Sequence, residues 1–354
     1  MIDLVRVNAE ALAEFTLSCF KAMDVSEDNA QLCANALMFS ELRFHPGQGQ
    51  GVRRLSAYNE RINKGWIDKD APFEIVKESP ALALIDGHNG LGSVVGQRAM
   101  KLATEKAKVC GIGTVIVRGS THYGSSAVHA DIALKQDCIG VAMTNAGPEM
   151  AAWGGATAVV GTNPWALAAP TGLDFDVSLD IALTTAGKGM MKWLGREGKP
   201  MPLDWALTPE GEETSDPSAA MAGALLGIGQ YKGYGLSFMT DVMTGVLSGG
   251  AFGLAPYANS AKQDVAHTFI AFDIDWFMPL TEFKERMNSF IADIKKSKLR
   301  PGFKEILVPG ELEHRRETER REDGVKLDAG VFDELVTLAK ELGVEFPFER
   351  ELVA

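Results

Sequence analysis

The chain has 354 residues, of which 46% are hydrophobic and 23% are charged, so it is long enough for a large core and roughly two or three domains. Its formal net charge of −12 argues against nucleic-acid and anionic-membrane partners, since both bind clustered lysines and arginines. No apolar run reaches the ~20 residues that a membrane helix needs. The four cysteines are scattered without metal-binding spacing, which indicates reduced thiols in a cytoplasmic protein: Cys19, Cys33, Cys110 and Cys138.

The beginning of the chain is predicted to be mainly helical. A strand or turn followed by an amphipathic helix is expected from residues 1–15. A second helix begins after Ser26, whose hydroxyl suits an N-cap, and extends to about Arg43, because Pro46 and the glycines that follow stop it. A third helical stretch is predicted at residues 51–65.

The middle of the chain alternates between short strands and helices, which predicts an α/β fold. Apolar runs that end in turn residues predict strands at 81–87, 113–120, 138–146, 158–170 and 177–182. Helical patterns lie between some of them, at 92–111 and 125–137.

The last part of the chain contains further elements. We predict strands at 264–274 and 303–310, and helices at 230–250, 280–298 and 327–344. Asp328 and Gly343 fit the start and the end of the last of these helices. The helix at 230–250 is expected to be buried and to tolerate glycine. Residues 196–220 are predicted to form an irregular surface excursion.

A glycine-rich loop with the sequence "RFHPGQGQGVRRLSAY" occupies residues 43–58. A dinucleotide-binding fingerprint requires a strand before its glycines, whereas a helix precedes these, and the spacing of the third glycine does not fit. The arginines of the loop suit a carboxylate, which would make the loop the lip of an active site. The alternative is a surface turn with solvated arginines.

Polar residues at strand ends are the candidates for chemistry in the middle of the chain. His122 follows an apolar strand and is either an acid/base group or a histidine satisfied by local hydrogen bonds. Thr162 offers a hydroxyl in a turn. Asp180 lies within an apolar segment and needs a partner, which is either a histidine or backbone amides. No cluster has metal-ligand spacing, so no metal site is predicted.

Seven stretches in this order and spacing resemble the malate/L-lactate dehydrogenase type 2 family: "DGHNGLGSVVGQRAM", "GSTHYG", "GTNPWALAAP", "LDIALTTAGKG", "TSDP", "KGYGLSF" and "PGELE". That family includes ureidoglycolate and sulfolactate dehydrogenases, diketogulonate reductase and piperideine-carboxylate reductase. The resemblance implies an α/β, non-Rossmann NAD(P)-binding fold of the sulfolactate/malate dehydrogenase type. It also implies a homodimer, a helical domain of residues 1–75 with 324–354, and a cofactor- and substrate-binding region at 76–323.

The resemblance also assigns roles to residues. It implies acid/base chemistry at His122 with Asp180, and a substrate carboxylate held by Arg54 and Tyr58, with Gln50, Arg43 and Thr162 nearby. NAD or NADP, which the sequence does not distinguish, would contact Ser120, Tyr123, Gly124, Thr144, Asn145, Gly161, Thr162, Asn163, Asp180, Ile181, Ala182, Lys232, Gly233, Pro309, Gly310 and Glu311.

The chain departs from the family pattern at one position. Where the family has Ser-His-Gly before the arginine, this chain has Gln50, and His45 lies five residues upstream as a second candidate proton donor. The expected activity is hydride transfer between nicotinamide and a 2-oxo acid/2-hydroxy acid pair. The alternatives are reduction of a cyclic imine carboxylate and a catalytically silent binding protein.

Overall fold

The computed structural model describes residues 3–353, and helices dominate the beginning of this range. The elements up to residue 78 are β1 (Leu4–Val7), α1 (Ala9–Ala22), α2 (Glu27–Arg43), α3 (Leu55–Asn63) and β2 (Glu74–Glu78). The three predicted helices are therefore confirmed. Ser26 occupies the N-cap position of α2, although its side chain accepts no capping hydrogen bond.

The middle of the chain supplies most of the strands. Its elements are β3 (Leu82–Asp86), α4 (Gly92–Cys110), β4 (Ile112–Ser120), α5 (Ala127–Ala130), β5 (Cys138–Thr144), β6 (Met150–Ala151), β7 (Ala158–Val160), β8 (Trp165–Ala169) and β9 (Val177–Ile181). The predicted strand at 158–170 is divided by a turn in which Asn163 has a φ of 37°. The predicted helix at 125–137 is reduced to α5 and a 3₁₀ turn.

The remaining elements follow β9 in chain order. They are α6 (Lys188–Glu197), α7 (Pro217–Ala222), α8 (Tyr231–Asp241), β10 (Val265–Asp273), α9 (Leu280–Lys295), α10 (Glu311–Asp323), β11 (Val325–Asp328), α11 (Ala329–Leu342) and β12 (Leu352–Val353). The caps predicted for α11 are confirmed, since Asp328 accepts a hydrogen bond from the Gly330 amide and Gly343 has a φ of 66°.

Two of the later predictions are wrong. Residues 303–310 form no strand; Pro309 cannot donate to a ladder, and its carbonyl instead accepts from the Ser178 amide at 3.3 Å. The helix at 230–250 exists, but it is not buried in the chain. Five of its apolar side chains are exposed: Leu236, Phe238, Met239, Val246 and Leu247.

The central sheet has seven strands in the order β2-β3-β4-β10-β5-β8-β9. β3 and β4 are parallel and joined by α4, as a parallel pair requires a crossover. The other neighbours are antiparallel. The fold is therefore mixed α/β, as predicted, with β10 inserted between two strands that precede it by more than a hundred residues.

Two large apolar cores hold the chain together. One packs α4 and α5 against the sheet, around Phe269 of β10 and Met100 of α4. The other joins β1 and helices α1 to α3 with β11 and α11, so residues from both ends of the chain share it. The four cysteines are free. Within residues 3–353, no helix is long and apolar enough to cross a membrane, and no cluster of side chains suits a metal ion.

Candidate active site

A cleft of about 420 Å³ opens between the start of α3 and the ends of the sheet strands. The side of α3 contributes Arg54 and Arg61, and Gln50 lies beside them. The sheet side contributes His122, which follows β4, and a loop before β10 contributes Tyr257. The cleft thus brings together residues that are far apart in the sequence.

His122 is fixed in the cleft wall by its backbone and its ring. Its amide donates to Gln263 Oε1 at 2.9 Å, and Nδ1 lies 3.4 Å from the hydroxyl oxygen of Tyr58. Withdrawal of the ring from water, together with the positive charges of Arg54 and Arg61, lowers its pKa well below the usual value. The imidazole is therefore neutral at pH 7.

Arg54, in the turn before α3, and Arg61, in α3, line the cleft, whereas the predicted substrate contact Tyr58 is 3% exposed and does not line it. Arg54, Tyr58 and Arg61 are spaced by four and three residues, which places them on one side of a helix. Arg54 Nε donates to the Gly49 carbonyl at 2.7 Å. The sequence predicted Arg54 and Tyr58 but not Arg61, although the continuing helical spacing was the signal that would have found it.

The glycine loop is attached to α2 by the half-buried carboxylate of Glu41. Glu41 Oε2 accepts from the Val52 amide at 2.8 Å, and a Cβ on Gly51 would lie only 1.8 Å from that oxygen. Only glycine therefore fits at residue 51 in this arrangement. Gln50, the residue before Gly51, lies in the cleft wall, and its buried Oε1 has no hydrogen-bond partner among residues 3–353.

Two residues predicted to help in the cleft lie elsewhere. His45 Nδ1 accepts from the Gly47 amide at 3.0 Å, and its ring packs edge-on against Trp193 with centroids 5.1 Å apart. Arg43 pairs with Asp131 and Glu317 at 3.7 and 3.5 Å. The geometry therefore favours His122 over His45 as the acid/base group.

Asp180 lies in β9, and its partners are backbone amides. Its Oδ2 accepts from the Ala127 amide at 2.8 Å, and the Ser126 amide also contributes. Burial, with a smaller contribution from nearby Asp131, raises the pKa of Asp180 to about 7. Of the two partners that the sequence allowed, the described residues supply the backbone amides and not a histidine.

A stack of three rings lies directly behind the cleft. Tyr123 is sandwiched between His129 and His267, with ring centroids 4.3 and 4.5 Å away. Thr144 Oγ1 lies 2.7 Å from Nδ1 of His267. Burial lowers the pKa of His129 to about 4 and that of His267 well below its usual value. Sequence reasoning identified Tyr123 and Thr144 but missed both histidines, which lie 6 and 144 residues along the chain from Tyr123.

Two predicted cofactor residues use their side chains to hold the fold. Asn145 and Asn163 each donate to a different oxygen of buried Asp241, both at 3.2 Å. Asn163 also accepts from the Ala146 amide at 2.9 Å. Ser120, by contrast, is buried with an Oγ that has no partner within the described part of the chain.

The later predicted residues lie at the two ends of the edge strand β9. A Cβ on Gly233 would lie 2.4 Å from the Leu183 carbonyl, and one on Gly310 would lie 2.7 Å from the Asp176 carbonyl. Both glycines thus let a helix start approach this strand closely, and the Thr162 carbonyl accepts from the Leu183 amide at 2.8 Å. Ile181, Ala182 and Lys232 lie with Gly233 at the end of β9, whereas Pro309 and Glu311 flank Gly310 at its beginning.

Glu311 and Lys232 differ in the contacts that their charged side chains make. Glu311 is 5% exposed and accepts from Lys295 and Arg315 at 2.6 and 2.5 Å. Lys232 is exposed, and its ammonium group has no hydrogen bond or ion pair to any residue that the structure describes. Glu311 therefore stabilises the turn, whereas the ammonium group of Lys232 faces solvent.

A mixed α/β fold that brings a neutral histidine and two arginines to one cleft is the arrangement of an enzyme that binds small anionic molecules. A family model described as malate/L-lactate dehydrogenase matches residues 7–336, so the chain belongs to the malate/L-lactate dehydrogenase family and is an oxidoreductase.

Individual relatives and structures agree with this assignment. The chain is 39% identical to a malate dehydrogenase of Pyrococcus horikoshii over 97% of both chains. It is 35% identical to an L-sulfolactate dehydrogenase of Methanocaldococcus jannaschii over 93% of this chain and 94% of that one. The crystal structure of malate dehydrogenase from Entamoeba histolytica superposes with a TM-score of 0.93 at 30% identity, covering 98% of this chain and 100% of the other.

Proposed function

We propose that this oxidoreductase transfers a hydride between a nicotinamide cofactor and a 2-oxo acid/2-hydroxy acid pair. The observation that carries the proposal is the presence of Arg54 and His122 in one cleft, since the reaction needs a site for a carboxylate and a group that exchanges a proton. The names of the malate and sulfolactate dehydrogenase relatives support the same class of substrate.

The chain's own residues divide the work in the following way. Arg54 binds the substrate carboxylate through its free guanidinium nitrogens, and the reacting oxygen faces His122. An anion at Arg54 offsets the positive charge that depresses the pKa of His122, so the pKa rises when substrate binds. His122 then donates a proton during reduction and, as the neutral ring, accepts one during oxidation. The bound nicotinamide supplies or takes up the hydride.

The cofactor is proposed to contact the sheet side of the cleft and the end of β9. Gly124 has a φ of 88° and open space where a Cβ would stand, so its backbone accepts a close neighbour. Buried polar groups normally have hydrogen-bond partners. The buried hydroxyls of Ser120 and Thr184 have none within residues 3–353, so they are free to bind a cofactor. The residues present thus fit a polar aromatic group, and Lys232 suits its phosphates.

The finer description of the fold is also a proposal. We infer a nicotinamide-binding fold other than the Rossmann fold, because antiparallel pairs predominate in the sheet. We infer a helical domain formed by residues 1–75 and 324–354, supported by the core that both ends share. The free cysteines support a reducing compartment such as the cytoplasm.

The function is tested by following the oxidation of NADH and NADPH at 340 nm with a panel of 2-oxo acids and cyclic imine carboxylates. We expect turnover with at least one 2-oxo acid and one of the two cofactors. Cofactor binding without turnover of any substrate would instead identify a catalytically silent homologue. Turnover of imines alone would favour the imine reductase, for which the low pKa of His122 is suited, because an imine brings its own proton.

We further propose that α8 and the turn after it form the interface of a homodimer. Phe238 and Leu247 are 51% and 65% exposed, exposed Leu236, Met239 and Val246 belong to the same segment, and exposed apolar patches mark association surfaces.

Leu247→Glu is therefore expected to convert a species of twice 38.1 kDa into a monomer, as measured by analytical ultracentrifugation. The matched control is Val109→Glu, which places the same charge at an apolar residue of α4 that is 71% exposed. A parent protein that sediments as a monomer would refute the proposal, as would equal dissociation in both variants.

A further inference from the structure

We propose that Glu149 is a specificity-determining residue, whose carboxylate and the neighbouring Tyr257 ring receive a cationic group at the distal end of a 2-oxo acid substrate. This inference rests on the proposed function and specifies its substrate class. It requires that the Glu149 carboxylate lies in the cleft without a partner, that it is held in place, and that a bound cation competes successfully with the nearby lysines.

Glu149 is an acidic residue of the cleft that the proposed reaction does not use. It lines the cleft together with Arg54 and His122. The residue is half-buried, and its carboxylate makes no hydrogen bond or ion pair with any residue in the described part of the chain. A partly desolvated carboxylate without a partner costs free energy. A ligand that brings a positive charge to this carboxylate removes that cost.

The backbone around Glu149 is anchored on both sides. Its amide donates to the Val160 carbonyl at 2.9 Å, and its carbonyl accepts from the Leu225 amide at 2.8 Å. Pro148 precedes it and has a φ that its own ring fixes, and Met150 follows it and is fully buried. The carboxylate is therefore presented to the cleft from a fixed main chain, as selection between substrates requires.

The ring of Tyr257 packs beside the segment that carries Glu149. Its φ is 62°, in the left-handed region that an aromatic residue rarely adopts, and its Cδ2 lies 3.2 Å from the position of a Cβ on Gly147. Burial raises the pKa of the Tyr257 hydroxyl to about 12, against the charges of Arg61 and Arg54, and Glu149 adds to the increase. Since cations are attracted to the faces of aromatic rings, the ring and the carboxylate offer one cation two favourable contacts.

The cleft carries charges of both signs on different elements. Arg54 and Arg61 belong to α3 and the turn before it, whereas Glu149 lies between β5 and β6. A 2-oxo acid with a distal cation carries the matching pair of charges, because its carboxylate suits Arg54 and its cation suits Glu149. With the reacting carbonyl at His122, the rest of the substrate then extends towards Glu149.

Two lysines of α6 are the competing partners of Glu149. Burial raises the pKa of the Glu149 carboxyl, and Lys188, Arg54 and Lys192 lower it, with Lys188 the strongest of the three. Neither lysine ammonium lies within 4.0 Å of this carboxylate in the described chain. Because the Coulomb energy falls with distance and with intervening solvent, a cation in direct contact with the carboxylate interacts more strongly than these lysines do.

The test compares two isosteric 2-oxo acids, 5-(trimethylammonio)-2-oxopentanoate and 6,6-dimethyl-2-oxoheptanoate, which differ by one positive charge and do not cyclise. The parent is expected to favour the cationic acid in kcat/KM. Glu149→Gln keeps the shape of the side chain, so it should reduce kcat/KM for the cationic acid about 30-fold and leave that for the neutral acid within about threefold. Tyr257→Leu should lower the preference about threefold, and Tyr257→Phe should keep it.

Glu210→Gln is the matched control, since it removes the same charge from an exposed residue outside the cleft. It should preserve the preference. Lys188→Met should increase kcat/KM for the cationic acid, because it removes a competing cation. A parent without preference for the cationic acid, equal losses for both acids in Glu149→Gln, or loss of the preference in Lys188→Met would overturn the role of Glu149 while leaving the proposed function intact.

A second measurement separates the role of Glu149 from turnover. Calorimetric titration with 5-(trimethylammonio)pentanoate and 6,6-dimethylheptanoate, which lack the reacting carbonyl, should give tighter binding of the cationic acid to the parent and loss of this difference in Glu149→Gln. If no 2-oxo acid reacts, the proposed function fails, and the titration still decides on Glu149. Equal binding of the two acids to the parent would refute it.

Discussion

Replacing His122 by asparagine is expected to lower kcat by about 10²-fold or more, because a positioned acid/base group contributes about 10²–10⁴ in rate. Asparagine retains hydrogen bonding but does not exchange a proton at any working pH. For oxidation of the hydroxy acid, kcat/KM of the parent should rise with pH through the pKa of free His122, which burial and the arginines place well below 6.5. The profile should therefore be flat at neutral pH.

The reverse reaction has the opposite pH dependence. Reduction needs protonated His122 in the substrate complex, so kcat should fall as pH rises through the higher pKa of the bound state. His45→Asn is the control, because His45 packs against Trp193 outside the cleft, and it should keep both profiles. If His45→Asn abolishes the titration and His122→Asn preserves it, the roles are reversed and the glycine loop supplies the proton.

Local signals explain why several elements could be predicted from the sequence. The start and end of α11 depend on Asp328 and Gly343, whose effects act within one turn of a helix. The strand predicted at 303–310 is wrong because a short apolar run does not show whether another strand pairs with it. Pro309, moreover, has no amide hydrogen to donate to a neighbouring strand. The position of β10 between β4 and β5 has no local signal, since it is decided by pairing over more than a hundred residues.

The same distinction applies to the site. His122, Arg54 and Tyr58 stand in short motifs whose spacing is visible in the sequence. Gln263 and Tyr257 become relevant only because a loop folds back over the cleft, 141 residues from His122 in the case of Gln263. The apolar neighbours of Asp180 in the sequence predict that its carboxylate needs a hydrogen-bond partner, but they do not identify that partner. Only the fold shows that backbone amides at the start of α5 provide the hydrogen bonds.

The error in the burial of α8 has a related cause. Apolar side chains around glycines indicate that a helix will be covered, but not whether the same chain covers it. In α8, Gly233 lets the helix start approach Leu183, whereas Phe238 faces outwards. An apolar pattern in the sequence therefore predicts that a helix is buried either within the chain or against another subunit. The exposed apolar side chains of α8 support the second case, the proposed dimer.

Replacing Arg54 is expected to raise the KM for 2-oxo acids about 10²-fold in Arg54→Met, since loss of one partner of a desolvated charged pair costs several kcal/mol, about 2–5. Arg54→Lys should raise KM about tenfold, because lysine keeps the charge but loses the two parallel hydrogen bonds of the planar group. Steady-state kinetics with saturating cofactor measure both effects. The dissociation constant of the cofactor should remain unchanged if the loop stays in place.

Arg54 also holds the glycine loop, since its Nε donates a hydrogen bond to the Gly49 carbonyl at 2.7 Å. The two roles have different consequences. A carboxylate site loses affinity for mono- and dicarboxylates alike, whereas a loosened loop changes the melting temperature and cofactor binding as well. Arg53→Met controls for loss of a neighbouring positive charge. If Arg54→Lys and Arg54→Met both retain the parent KM, Arg54 only anchors Gly49, and Arg61 becomes the arginine that holds the carboxylate next to the reacting carbon.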